Sequence, residues 1–98
     1  MADLTLNPNP ASVGERIYIS GCGYEQEPVL IEVTDTDGDL AAKFYIGMFS
    51  TGCMDNAYFS LADAGTYTVS AFQGKGRKAL YQKGAQKELK ATAALTVS

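Results

Sequence analysis

Histidine and tryptophan are both absent from this chain of 98 residues. Without histidine there is no imidazole base, no Ser-His-Asp or Cys-His nucleophile and no histidine-containing zinc site. Carboxylates, lysines, tyrosines and two thiols remain, a poor set for a catalytic centre, so the expectation is a non-enzymatic protein with no cofactor and no metal. Two cysteines without a second pair do not complete a structural zinc site either. No apolar run approaches the ~18 residues of a membrane helix. The N-terminal Met-Ala-Asp-Leu-Thr-Leu-Asn-Pro has neither a basic start nor an apolar core of signal-peptide length. The chain as it stands is therefore expected neither to span a membrane nor to leave the cell by the usual signal, and a domain excised from a longer protein would read the same.

What is present suits one small domain, residues 1–98. Hydrophobic residues make up 46% and charged residues 19%, a balance that excludes disorder. Scaling with mass predicts roughly 5,400 Å² of folded surface against about 15,000 Å² for the extended chain, which leaves a thin core. The net charge of -3 is unevenly spread. Residues 1–63 hold ten acids against Arg16 and Lys43, whereas residues 64–98 hold six bases (Lys75, Arg77, Lys78, Lys83, Lys87, Lys90) against Glu88 alone. Such asymmetry steers a partner or simply solvates the surface.

Period-two alternation dominates and stops repeatedly at turn residues, which predicts strands throughout and no long helix. Seven are expected, at residues 3–7, 14–20, 29–34, 40–46, 56–61, 66–73 and 89–97. Val13, Ile17 and Ile19 share one parity; Val29, Ile31 and Val33 another; Leu40, Ala42, Phe44 and Ile46 a third. Ala57, Phe59 and Leu61, then Tyr67, Val69 and Ala71, and finally Leu89, Ala91, Ala93, Leu95 and Val97 complete the predicted inward set. Pro8 and Pro10 mark the first strand as an edge. Seven short antiparallel strands, each with one apolar face, predict an all-β sandwich of two sheets with Greek-key connections, with a closed barrel as the alternative.

Asp63, Gly65 and Tyr67, spaced Asp-x-Gly-x-Tyr, resemble the corner motif of the immunoglobulin-like superfold, in which the tyrosine hydroxyl bonds back to backbone across the turn. Residues 64–71 (Ala-Gly-Thr-Tyr-Thr-Val-Ser-Ala) are similar to the penultimate strand of bacterial and phage immunoglobulin-like surface domains, and residues 12–23 to their second strand. Val33-Thr34-Asp35 with Asp37-Gly38 looks like their third-strand hairpin. Val69 stands where antibody domains carry a core cysteine, and the tryptophan is missing, so the resemblance is to virion and surface domains rather than to receptor domains. It implies Asp63, Gly65 and Tyr67 as structural residues. In a sandwich of that connectivity the second and fifth strands are antiparallel neighbours, so Cys22 and Cys53 meet at one edge and a disulfide is allowed. Free thiols are the alternative. A bond calls for an oxidising destination, which a virion made in the host cytoplasm and then released would supply, and which a piece excised from a secreted protein would supply equally well.

Four features invite a functional reading. Asp35, Asp37 and Asp39 around Gly38 resemble the opening of a calcium loop, but the twelfth position is Ile46 rather than glutamate. A plain hairpin turn is expected. Gly74-Lys75-Gly76-Arg77-Lys78 lacks the Walker pattern and has no helix behind it, so a nucleotide site and nucleic-acid binding are both disfavoured. The stretch from Gly74 to Glu88 is long for a connection between adjacent strands and both basic and partly apolar, which suits docking on an acidic neighbour, with an ordinary solvated loop as the alternative. In the predicted sandwich this loop projects from the same end as the loops around Tyr24 and residues 47–55. The expected contact residues are Tyr24, Met48, Phe49, Met54, Lys75, Arg77, Lys78, Tyr81, Lys83 and Lys87, with Phe49 alternatively folding back over the core.

The expected function is thus a non-catalytic structural or interaction domain. Its resemblance implies an accessory or capsid-decoration protein on a phage virion surface, bound to a protein lattice of capsid or tail subunits, with homo-oligomers as a further option. The alternative is a module of a bacterial surface adhesin or a secreted carbohydrate-associated protein, in which Tyr18, Tyr24 and Tyr45 stack on a polysaccharide.

Overall fold

The computed structural model describes residues 2–47, 51–77, 79–80 and 83–98, without the side chains of Asp55, Asn56 and Arg77. Met48, Phe49, Lys78 and Tyr81, four of the expected contact residues, lie outside the described residues. Seven antiparallel strands run β1 (Thr5–Asn7), β2 (Ile17–Gly21), β3 (Val29–Asp35), β4 (Leu40–Ile46), β5 (Met54–Phe59), β6 (Gly65–Gly74) and β7 (Lys87–Val97), with a 3-10 turn at Lys75–Arg77. They form a three-stranded sheet, β1-β2-β5, facing a four-stranded sheet, β4-β3-β6-β7. This is the predicted all-β sandwich of immunoglobulin-like type, with β4 beside β3 in the larger sheet.

The core lies between the two inner faces. Ile17 and Ile19 of β2 meet Val29, Ile31 and Val33 of β3, Tyr67, Val69 and Ala71 of β6, and Leu95 and Val97 of β7 in one buried cluster. Phe44 and Phe59 bridge the sheets at the β4 and β5 side, with ring centroids 5.7 Å apart. The small Ala71, Ala91 and Ala93 sit on or against this cluster and leave room for the branched side chains opposite. The folded surface of 5722 Å² agrees with the thin core that the mass predicts.

Three expected inward residues point outward instead, each for a local reason. Between Val33 and Thr34 the register slips, so that Val33 pairs with Ala42 but Thr34 with Leu40. Ala41 is thus an extra residue that rolls Leu40 onto the outer face, where it is 53% exposed. On β7 the slip falls at Lys90, because Ala71 pairs with Ala91 but Phe72 with Leu89. Leu89 is therefore turned out as well. Val13 is exposed because it belongs to a turn, closed by Glu15 N–H donating to Ser12 O (3.0 Å) and Ser12 N–H donating to the Glu15 carboxylate (2.9 Å). β2 consequently begins at Ile17 rather than near residue 14.

The first segment of the chain serves both sheets. After β1 it crosses over, and Ala11 bridges Val97 in parallel, with Ala11 N–H donating to Thr96 O and Ser98 N–H to Ala11 O, both at 2.9 Å. The Asn9 side chain extends this contact, donating to Ala94 O (2.8 Å) and accepting from Thr96 N–H (3.3 Å). An amide side chain thereby replaces the backbone of a neighbouring strand.

At the corner the Tyr67 hydroxyl donates to Asp63 O at 2.7 Å, and the ring lies 3.6 Å from the point where a Cβ on Gly65 would stand. Tyr67→Phe keeps the ring but loses the bond, so it is expected to lower unfolding free energy by about 1 kcal/mol. A urea midpoint equal to that of the wild type would contradict this role.

Candidate interaction surface

Antiparallel pairing brings three connections to one end of the sandwich. Gly21 pairs with Met54, Val29 with Ile46, and Gly74 with Lys87. The β2–β3, β4–β5 and β6–β7 loops therefore emerge together. The first two are joined covalently by a disulfide between Cys22 and Cys53, with Cα atoms 3.9 Å apart.

Around the disulfide the backbone is closely fitted. Asp3 N–H donates to Cys22 O (3.0 Å), and its carboxylate accepts from Cys22 N–H (2.9 Å). Tyr24 N–H donates to Gly52 O (3.0 Å), and the Tyr24 hydroxyl donates to Asp3 O (2.6 Å). Gly52 has φ +74°, and a Cβ there would stand 2.7 Å from Tyr24 O, so the position requires glycine on both counts.

Tyr24 is buried at this junction rather than displayed for contact. Burial, assisted by the Asp3 carboxylate, pushes its pKa from 10.0 up to about 12. A raised phenol pKa favours the neutral folded form, so this stabilisation is complete below pH ~10 and is lost as pH climbs toward ~12. Melting temperature is expected to fall more steeply over that window in the wild type than in Tyr24→Phe, the lysines being common to both. Parallel slopes in thermal melts would refute the assignment.

A second clamp comes from Gln73, which is wholly buried at the end of β6. Its Oε1 accepts from Glu25 N–H (3.0 Å), while its Nε2 donates to Glu25 O (2.9 Å) and Glu27 O (3.1 Å). One side chain thus holds the β2–β3 loop against the base of the β6–β7 loop, where Lys75 N–H donates to Gln86 O (2.7 Å). Beside it the Glu27 side chain is buried, and its Oε1 has no hydrogen-bond partner, a local cost in an otherwise satisfied loop.

On the outer face of the larger sheet, an apolar row runs Tyr45, Leu30, Phe72, Leu89 across four strands. Leu30 is buried although it faces away from the core cluster. Near the loop end of this face lies a groove of about 390 Å³ lined by Pro28, Tyr45, Gly47 and Leu80. Lys75 and Lys83 are exposed on the neighbouring loop. Lys87 lies on the sheet itself, its Nζ 3.0 Å from the Glu32 carboxylate and 4.5 Å from the Phe72 ring centre.

The expected contact residues therefore divide. Lys75, Lys83 and Lys87 are at the surface, and Arg77 lies in the 3-10 turn. Met54 joins Tyr24 in the core; β5 begins at Met54, and an extra residue between its pairing with Gly21 and that of Ala57 with Ile19 allows Met54 and Phe59 both to face inward. Comparison with known proteins is brief to report. No protein family, curated protein or solved structure matches this chain at a significant level.

Two features away from the loop end complete the inventory. Asp35, Asp37 and Asp39 bring carboxylate oxygens within 4.8 Å of one another, but Asp35 Oδ1 accepts from the amides of Asp37 (2.9 Å) and Asp39 (3.0 Å). That use is what a tight hairpin turn requires. On the outer face of the smaller sheet, the Tyr18 and Tyr58 rings stand 5.6 Å apart, with the Arg16 guanidinium 4.7 Å over Tyr58. Alternation marked Tyr18 as outward; its partnership with Tyr58 depends on a register that only the pairing of β2 with β5 supplies. Among the described residues no nucleophile, base and acid converge as a catalytic centre.

Proposed function

We propose that this chain is a non-catalytic interaction domain, an accessory or capsid-decoration protein of a phage virion, that docks through its loop end on a repeating protein surface. The observation that carries the docking role is the groove between Pro28, Tyr45, Gly47 and Leu80, set at an end that the disulfide and Gln73 hold in place. A preformed apolar depression beside exposed lysines suits an acidic partner with an apolar anchor, because ordering cost is already met within the free protein. The virion assignment is supported by the resemblance of residues 12–23 and 64–71 to bacterial and phage immunoglobulin-like surface domains. Immunogold electron microscopy of particles from the encoding phage tests the proposal. Label at regular lattice positions is expected, and absence of the chain from purified particles overturns it.

A second reading, a carbohydrate-associated surface module, is favoured by the Tyr18–Tyr58 pair and the stacked Arg16. It gains if immobilised polysaccharide retains the chain and Tyr18→Ala releases it.

A further inference from the structure

The free edge of β4 carries a set of features that point to a strand-shaped ligand. β4 ends the four-stranded sheet, so the outward N–H and C=O groups of Leu40–Ile46 have no strand beside them among the described residues. The other edge of that sheet, β7, is engaged by Asn9 and Ala11 over its C-terminal part. Leu40 and Tyr45 stand 53% and 56% exposed near the two ends of β4, and Phe44 is only partly buried at the open side of the sandwich. A cavity opens at each end of the strand. One is the groove at Tyr45 and Gly47; the other, about 460 Å³, is lined by Leu40, Ala41, Leu61 and Tyr67 together with Ser60 and the acidic Asp35 and Asp63, so it suits a polar rather than an acidic end of the guest.

Charge then selects the occupant. Lys43 lies at the middle of β4, opposite Glu32 on β3, but the Glu32 carboxylate is paired with Lys87 at 3.0 Å. Lys43 is left without a carboxylate partner among the described residues. If two copies paired edge to edge over the whole strand, Lys43 would face Lys43, and like charges directly opposite are destabilising. A strand from a different protein with an acid at that position satisfies the lysine instead.

We propose that β4 is a strand-addition site, which takes an extended segment of a partner protein bearing a carboxylate opposite Lys43 and apolar side chains at the flanking, inward positions. Backbone pairing would supply affinity and the two end cavities side-chain selectivity. Lys43 rejects a second copy of this chain while it recruits the acidic guest, so one side chain acts in both senses. The groove at Tyr45 and Gly47 is common to this surface and the loop end, but the edge of β4 itself lies outside that end, and its test reads the amides of residues 40–46 without involving a particle.

Isotope-labelled protein is titrated with two synthetic heptapeptides, Val-Thr-Val-Glu-Val-Thr-Val and the same sequence with lysine at the centre, while backbone amide shifts are followed by NMR. The glutamate peptide is expected to move the amides of residues 40–46 and to bind about fivefold more tightly than the lysine peptide. Lys43→Glu, an exposed change, is expected to reverse that order. The proposal is overturned by equal affinities, by shifts confined to the loops, by no binding of either peptide, or by self-association of the wild type through these same amides.

Discussion

Gln73→Leu is expected to lower unfolding free energy by about 3 kcal/mol and to release the β2–β3 loop. The leucine fits the volume but removes three hydrogen bonds, to Glu25 N–H, Glu25 O and Glu27 O. Each stranded backbone group costs about 1–3 kcal/mol where water does not reach it; Glu25 is exposed and recovers part of that loss. Equilibrium urea unfolding should show a lower midpoint at unchanged slope. Hydrogen exchange at residues 24–27 should quicken well beyond the rate set by global unfolding. If the loop amides stay as protected as before, Gln73 does not organise this end. Because the loop backs onto Pro28, which lines the groove, the same variant should weaken any ligand held there.

Loss of the Cys22–Cys53 bond is the other large effect. The bond spans a sequence separation of 31 residues, and closing such a loop restricts the unfolded chain by about 3–4 kcal/mol. For a domain of this size the melting temperature of Cys22→Ser/Cys53→Ser is expected to fall by roughly 15–25 °C, and reduction of the wild type should match it in calorimetry. A drop below about 5 °C would mean that the contacts around Asp3, Tyr24 and Gly52 hold the two loops without covalent help. In a thin core this bond is a large fraction of the whole stability, so the domain should be markedly weaker before oxidation than after it.

The alternation of apolar and polar residues was enough to read the number of strands and the inward faces of β2, β3 and β6, because a strand's side-chain period is fixed by its backbone, and the Asp-x-Gly-x-Tyr spacing marked the corner at Tyr67. Strand order allowed a bond between Cys22 and Cys53, with free thiols as the alternative, and the structure carries the bond. What escaped is what a single added residue does to that period. Ala41 and Lys90 each shift one strand by a position, and nothing in their chemistry marks them as bulges, so Leu40 and Leu89 read as core. Tyr24 and Met54 read as loop contacts because each stands beside a cysteine-glycine pair and an acid, Cys22, Gly23 and Glu25 in one case and Gly52, Cys53 and Asp55 in the other. Their burial comes from the joining of Asp3, Gly52 and the disulfide in space. Gln73 closes an apolar alternation and looks like a polar strand end, because its three partners lie 46 to 48 residues away.

The engagement of Asn9 and Ala11 with β7 sets a limit on assembly. A sheet with two vacant flanks is a template that copies itself into fibres. Here the chain's own leading segment occupies one flank from Ala94 to Ser98, and the Lys90 bulge interrupts the ladder below it. In the larger sheet the remaining vacant flank is β4, where Lys43 would face the Lys43 of a second copy, so a ribbon built edge to edge on this sheet is opposed from both sides.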